Sequence, residues 1–239
     1  MKNNFDIIIL TGRPASGKSE VIDYLKKTPL EERLKRFHIG RFEEIDDFPM
    51  LWTWFEEDAI LEKIMKKPRI HTDKEGYFLF EYQWHLLIER ISLDYSKKLR
   101  DHENYHSEYT SLLEFSRGTE HGGYKAAFDH LSEDIIRKAA LVYIDVSYEE
   151  SKRKNRRRFN PNKPDSILEH GLPDEKLERL YRRVDWEEVS RSDPHFLIIK
   201  GFKVPYVIFH NEPEITDKPD ELGQHLEEIL QQLWELRQR

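Results

Sequence analysis

Phe5-Asp6-Ile7-Ile8-Ile9-Leu10-Thr11, followed at once by Gly12-Arg13-Pro14-Ala15-Ser16-Gly17-Lys18-Ser19, is the stretch that decides the fold class. The first part is a short apolar run of strand type. The second spells G-x-x-x-x-G-K-S, and Lys18–Lys27 continues in a helical pattern. A strand, a glycine-bearing turn and a helix in that order are the context this pattern requires. The glycines let backbone N–H groups converge on phosphate oxygens at a helix N-terminus. On this reading Gly12, Arg13, Pro14, Ala15, Ser16, Gly17, Lys18 and Ser19 cradle the phosphates of a nucleotide. Lys18 reaches the β- and γ-phosphates, and Ser19 offers its hydroxyl to Mg²⁺.

Working outward, apolar runs at residues 5–10, 36–40, 111–115, 141–146 and 205–210 read as strands. Between them helical spacing predicts helices over 52–65, 78–99, 124–139, 147–159, 174–190 and 220–236. Strands alternating with helices predict an α/β chain with a mostly parallel sheet covered on both faces. The expected architecture is a three-layer P-loop NTPase fold: five strands, flanking helices and an arginine-bearing lid. Its nucleotide should lie at the carboxyl ends of the strands. No repeat, low-complexity tract or linker divides the chain. Residues 1–239 therefore read as one domain, with an acceptor-side helical region about 43–110 and a lid about 153–173.

Composition narrows the function classes. The net charge of −7 argues against general nucleic-acid binding. The absence of cysteine excludes disulfides and cysteine-based metal or redox chemistry. No apolar run approaches the length of a membrane span, and the first ten residues carry no signal-peptide pattern. A cytoplasmic location is the expectation that follows.

Two further motifs are weak matches. His102-Glu103-Asn104-Tyr105-His106 spells H-E-x-x-H, which on a helix would present two imidazoles to zinc. Charged neighbours and the weak helix former Asn104 favour a surface turn. Asn162-Lys163-Pro164-Asp165 spells N-K-x-D, the guanine-reading pattern of GTP-binding switches, but it follows a basic helix end instead of a strand. The run Arg153-Lys154-Asn155-Arg156-Arg157-Arg158 is more telling. Arg153 and Arg157 lie four apart on one helix face, just before a loop over 160–173 rich in Pro, Asn and Gly. Guanidinium groups there suit a transferring phosphoryl group, whose charge spreads in the transition state.

Val142-Tyr143-Ile144-Asp145-Val146-Ser147-Tyr148-Glu149-Glu150 with its basic continuation resembles the strand–helix–lid segment of nucleoside and nucleoside-monophosphate kinases. His170-Gly171-Leu172-Pro173-Asp174-Glu175-Lys176-Leu177-Glu178-Arg179-Leu180 resembles the segment after the lid of deoxynucleoside kinases. Ser111-Leu112-Leu113-Glu114-Phe115-Ser116-Arg117-Gly118 is similar to that family's strand ending in Glu-Arg-Ser, with Glu114 and Arg117 two residues further apart. Phe80-Glu81-Tyr82-Gln83-Trp84 resembles the family helix whose glutamine pairs with a nucleobase. Residues 204–213 resemble the last core strand and adenine-contacting loop.

The resemblance implies an ATP-dependent small-molecule kinase that passes the γ-phosphoryl group to a nucleoside, nucleotide or other small hydroxyl acceptor. Lys18 holds phosphates, Ser19 and Glu114 organise Mg²⁺, and Arg117, Arg153 and Arg157 neutralise the transferring group. An acidic residue after the second strand approaches the acceptor hydroxyl. Glu43, Glu44, Asp46 and Asp47 all qualify, and Asp46 is the choice taken. The partner is the small-molecule acceptor, without nucleic acid or membrane, and a homodimer is left open. Two rival readings stand beside it: a nucleotide-binding ATPase or regulator with no small-molecule acceptor, and a zinc hydrolase using His102 and His106.

Overall fold

The computed structural model describes residues 3–158, 162 and 171–239. Most of the loop predicted over 160–173, and all of the N-K-x-D motif except Asn162, lie outside the described residues.

In chain order the elements are β1 (Ile7–Gly12), α1 (Lys18–Lys27), α2 (Leu30–Phe37), β2 (Arg41–Asp46), α3 (Phe48–Lys63), α4 (Tyr82–Asp101) and β3 (Tyr109–Phe115). There follow α5 (Gly123–His130), α6 (Glu133–Lys138), β4 (Ala139–Asp145), α7 (Tyr148–Arg158), α8 (Asp174–Tyr181) and α9 (Trp186–Ser190). The chain closes with β5 (Phe196–Ile199), β6 (Phe202–His210) and α10 (Pro219–Gln238). One sheet runs β2-β3-β1-β4-β6-β5. The first five strands of that order are parallel, and β5 is antiparallel to β6.

The α/β architecture is the one expected, with a sixth strand added at the edge. β5 and β6 form a hairpin through Lys200 (φ 49°) and Gly201 (φ 82°), two left-handed residues as a tight hairpin turn demands. The strand predicted over 36–40 is a correction. Residues 30–37 form α2, with Glu31 and Glu32 in its first turn and Lys35 and Arg36 in its last, matching the helix dipole. The second strand instead runs Arg41–Asp46. It is an edge strand with mostly solvated side chains, so it carries no apolar alternation to read. The helices predicted over 124–139 and 174–190 are each broken in two, the first at Leu131 and Ser132, where Ser132 caps α6 by accepting from Ile135 N.

Alternate residues of the central strands feed two cores. Ile7 and Ile9 of β1, with Leu113, Phe115, Leu141 and Tyr143, pack under α4, α5, α6 and α9. Ile8 and Leu10, with Leu112, Val142 and Ile144, pack under α1, α2 and α10. Burial on both faces is what a parallel sheet between helical layers requires. A smaller apolar cluster of Trp54, Trp84, Leu87, Leu177, Leu180 and Tyr181 joins α3, α4 and α8 beyond the strand ends.

Candidate active site

The loop after β1 is held in shape by close packing. A Cβ on Gly12 would lie 2.5 Å from the Ile144 carbonyl oxygen, and one on Gly17 (φ +118°) would lie 2.6 Å from Asn211 Nδ2. Only glycine meets both demands, which explains the motif's glycines in steric terms. Asn211, at the end of β6, donates from Nδ2 to Ser16 O at 2.7 Å. Its Oδ1 accepts from Ile215 N and Thr216 N. From the other side, Ser151 of α7 donates to Pro14 O at 2.7 Å. Ser16 Oγ is buried and has no hydrogen-bond partner among the described residues, which leaves it a donor for an arriving anion. The residues present therefore fit nucleotide phosphates.

Lys18, Ser19, Asp46, Glu114 and Arg117 all line one cavity of about 410 Å³ at the carboxyl ends of β1, β2 and β3. The register sets Asp46 beside Glu114 across neighbouring strands, and Glu114 in turn beside Leu10. Lys18 is buried; its Nζ donates to Arg13 O at 3.1 Å and Ser116 Oγ at 2.8 Å, and lies 3.9 Å from Glu114. Burial pulls the Lys18 ammonium below its usual range, with Glu114 and Asp46 pulling back. Burial raises Asp46 to about 8, helped by the like charges of Glu114 and Asp47. Glu114 is raised by burial too, against the attraction of Lys18. Two carboxyl groups and an ammonium thus share one dry corner in which their protonation is interdependent.

The structure sorts the four candidate carboxylates, of which Glu43, Glu44 and Asp46 lie on β2 itself and only Asp47 follows it. Glu43 binds Lys98 at 2.7 Å and Tyr105 Oη at 2.8 Å, and Glu44 binds Lys26 at 2.7 Å. Asp47 pairs with Arg117 at 2.6 Å, both side chains buried. Asp46 accepts from Phe48 N at 3.0 Å, at the start of α3. Arg117 is further held by donation to Ser116 O and Trp84 O, and its guanidinium lies 5.4 Å from the Trp84 ring centroid. It reaches the cavity wall as an anchored group.

Arg153 and Arg157 do not line this cavity. Both bind Glu214, at 2.9 and 2.7 Å, as does the buried Lys154 at 2.9 Å. The α7 face that meets the loop and cavity is Ser151, Asn155 and Arg158. Spacing alone singled out 153 and 157; the neighbouring face of the same helix carries the arginine at the cavity. Gln83 is not at the cavity either: it is buried, and its Oε1 accepts from Phe80 N at 2.9 Å, tying down the start of α4.

Aromatic walls complete the cavity: Phe48, Trp52 and Phe55 of α3, then Tyr77, Phe78 and Trp84. Phe55 and Trp84 fall on the apolar spacing of their helices, and it is their convergence with the others beyond the strand ends that marks them as lining. His121 also lines the cavity, stacked on Trp84 with centroids 4.3 Å apart. Burial, then Arg117 and Arg179, lower it to about 4, so it is neutral near pH 7.

The H-E-x-x-H stretch forms no metal site. α4 ends at Asp101, Asn104 adopts a left-handed conformation, and His106 binds Tyr95 Oη at 2.9 Å. Among the described residues no group of three or more His, Asp or Glu side chains is placed to hold a metal ion. No helix among them is long and apolar enough to cross a membrane.

No protein-family model matches the chain, and no curated protein matches it in sequence. Among solved structures, it is similar to a gluconokinase from Sinorhizobium meliloti 1021, at 14% identity over 98% of this chain and 97% of that one, with a TM-score of 0.47. A sugar kinase from Janibacter sp. HTCC2649 aligns at 10% identity over 95% of each chain, with a TM-score of 0.44. Shikimate kinase from Acinetobacter baumannii aligns at 14% identity over 74% of this chain and 76% of that one, with a TM-score of 0.34. Likeness at this level says nothing of activity.

Proposed function

We propose that this protein is an ATP-dependent small-molecule kinase that transfers the γ-phosphoryl group to a hydroxyl acceptor, a nucleoside or nucleotide ranking first. One observation carries the reading. The phosphate-binding loop, a carboxylate raised toward neutral pH and an aromatic-walled cavity meet at one set of strand ends. A nucleotide-binding regulator needs the loop but not the cavity.

The residues divide the work by position. Backbone N–H groups of the loop over 12–19, Pro14 excepted, and Lys18 hold the β- and γ-phosphates. Ser19 and Glu114 are the groups that would hold Mg²⁺, which when bound supplies charge neutralisation on the phosphates. Asp46 accepts the proton of the acceptor hydroxyl as its oxygen forms a bond to the γ-phosphorus and the bond to the β-phosphate oxygen breaks, releasing ADP. Arg117, fixed by Asp47, and Arg158 offset the negative charge that spreads over the transferring group. Arg153 and Arg157 serve there only after leaving Glu214.

The test is a transfer screen with γ-labelled ATP against nucleosides, nucleotides, sugars and small acids, run beside Lys18→Ala. Label on an acceptor with wild type and none with a folded Lys18→Ala supports the reading. Release of label solely as inorganic phosphate rejects it in favour of the regulator.

A further inference from the structure

At the strand ends the cavity sets Asp46, Asp47 and Glu114 against Lys18, Arg117 and Arg158, so its charges there are matched. At the far end two cations, Lys176 and Arg179, face one carboxylate, Glu120. Against the turn that carries Gly76 and Tyr77, helix α8 presents Lys176 and Arg179, one helical turn apart and lining the same cavity. Lys176 Nζ donates to Gly76 O at 3.2 Å and lies 5.1 Å from the Tyr77 ring centroid. Arg179 sits over the same ring at 4.1 Å and pairs with Glu120 at 2.7 Å. Gly76 (φ +78°) leaves room for Lys176 Nζ, which would lie 2.5 Å from a Cβ there.

Lys176 is short of a counter-charge. Among the described residues no carboxylate comes within ion-pair distance of it, and Asp73 and Glu75 act on it only from further away. Burial lowers its affinity for a proton. A part-desolvated ammonium left with a carbonyl and a ring face gains most from an anion arriving in the cavity. The aromatic walls between suit a flat or ring-shaped body, and the volume matches one such ligand.

Resting on the kinase reading above, we propose that the acceptor is a ring-sized hydroxyl compound bearing an anionic group, carboxylate or phosphate. Lys176, backed by Arg179, binds that group while the hydroxyl faces Asp46. The anion is therefore a recognition handle remote from the reacting oxygen.

Matched probes test this: thymidine against its 5′-monophosphate, and 4-hydroxyphenylacetate against its amide. Binding is read from the fluorescence of Trp52 and Trp84, which line the cavity, and transfer from γ-labelled ATP. In at least one pair the anionic member should bind about tenfold tighter or more, and Lys176→Gln and Arg179→Gln should each erase most of that preference while shifting the neutral member by less than about twofold. Comparison of carboxylate with phosphate pairs identifies the group. Equal binding within both pairs, no binding by either anionic member at millimolar concentration, or a preference that survives both substitutions overturns the inference. Calorimetry of Mg-ATP with the wild-type chain separates the two levels. If Mg-ATP binds and neutral compounds accept label equally well, the anionic handle alone fails; if Mg-ATP does not bind, the kinase reading fails with it.

Discussion

Lys18 opens α1 and Asp46 ends β2, yet both answer to Glu114, which attracts one and repels the other. Asp46, at about 8 in the folded chain against 3.8 ordinarily, holds a proton that the unfolded chain would release. The folded state therefore binds more protons between those values, and stability falls as pH rises from about 4 to about 8. Asp46→Asn should flatten that slope in denaturant titrations taken across the range. In the kinase reading, kcat/KM of the free enzyme should rise with pH and level off above about 8, because only the carboxylate accepts the hydroxyl proton. Asp46→Asn should remove that limb along with most of the activity. A pH-independent kcat/KM in wild type would take Asp46 out of the reaction. Lys18→Ala should cost about a hundredfold or more in turnover with an unchanged circular dichroism spectrum.

At the scale of elements, a single buried carboxylate sets the wall that faces α8. Asp58 of α3 is fully buried and accepts from Ile70 N, His71 N, Thr72 N and Thr72 Oγ1. Burial alone would raise it, but these bonds, led by the Thr72 hydroxyl, hold it below its usual range. It pins the segment that carries Gly76, Tyr77 and Phe78 into the cavity. Asp58→Ala strands buried donors and should cost about 3 kcal/mol in equilibrium unfolding. Acceptor KM should rise more than kcat falls, since the phosphate loop lies on other elements. On α7, Arg158→Gln should depress turnover by about tenfold or more with ATP affinity little changed. Arg153→Gln and Arg157→Gln should do the same only if those groups leave Glu214 during turnover; single-turnover rates of the three variants decide it.

The same elements show what the sequence could disclose. Lys18–Lys27 is helical over its expected span, because motif and amphipathic pattern coincide there. Asp46 and Glu114 were legible as carboxylates at strand ends, although the strand bearing Asp46 was misplaced by several residues. Phe37 and Ile39, both buried, mimic strand alternation while belonging to a helix end and its exit. The side chains of β2 answer to solvent, Lys26, Lys98 and Tyr105, so its pattern is polar. The aromatic walls were invisible for another reason: a tryptophan lining a cavity and one filling a core have the same helical spacing.

At the scale of the whole molecule, the site draws on residues from both halves of the chain, so ligand binding is coupled to global stability. Mg-ATP at about a hundred times its Kd should raise unfolding free energy by about 2.7 kcal/mol, measurable as a Tm increase that Lys18→Ala abolishes. The grip of Asn211 on Ser16 O joins positions 195 residues apart in sequence. Asn211 follows directly on β6, which pairs with β4. Any partly unfolded form that frees β6 from β4 therefore takes the prop away from the loop after β1, and the loop's shape reports on the integrity of a distant part of the sheet.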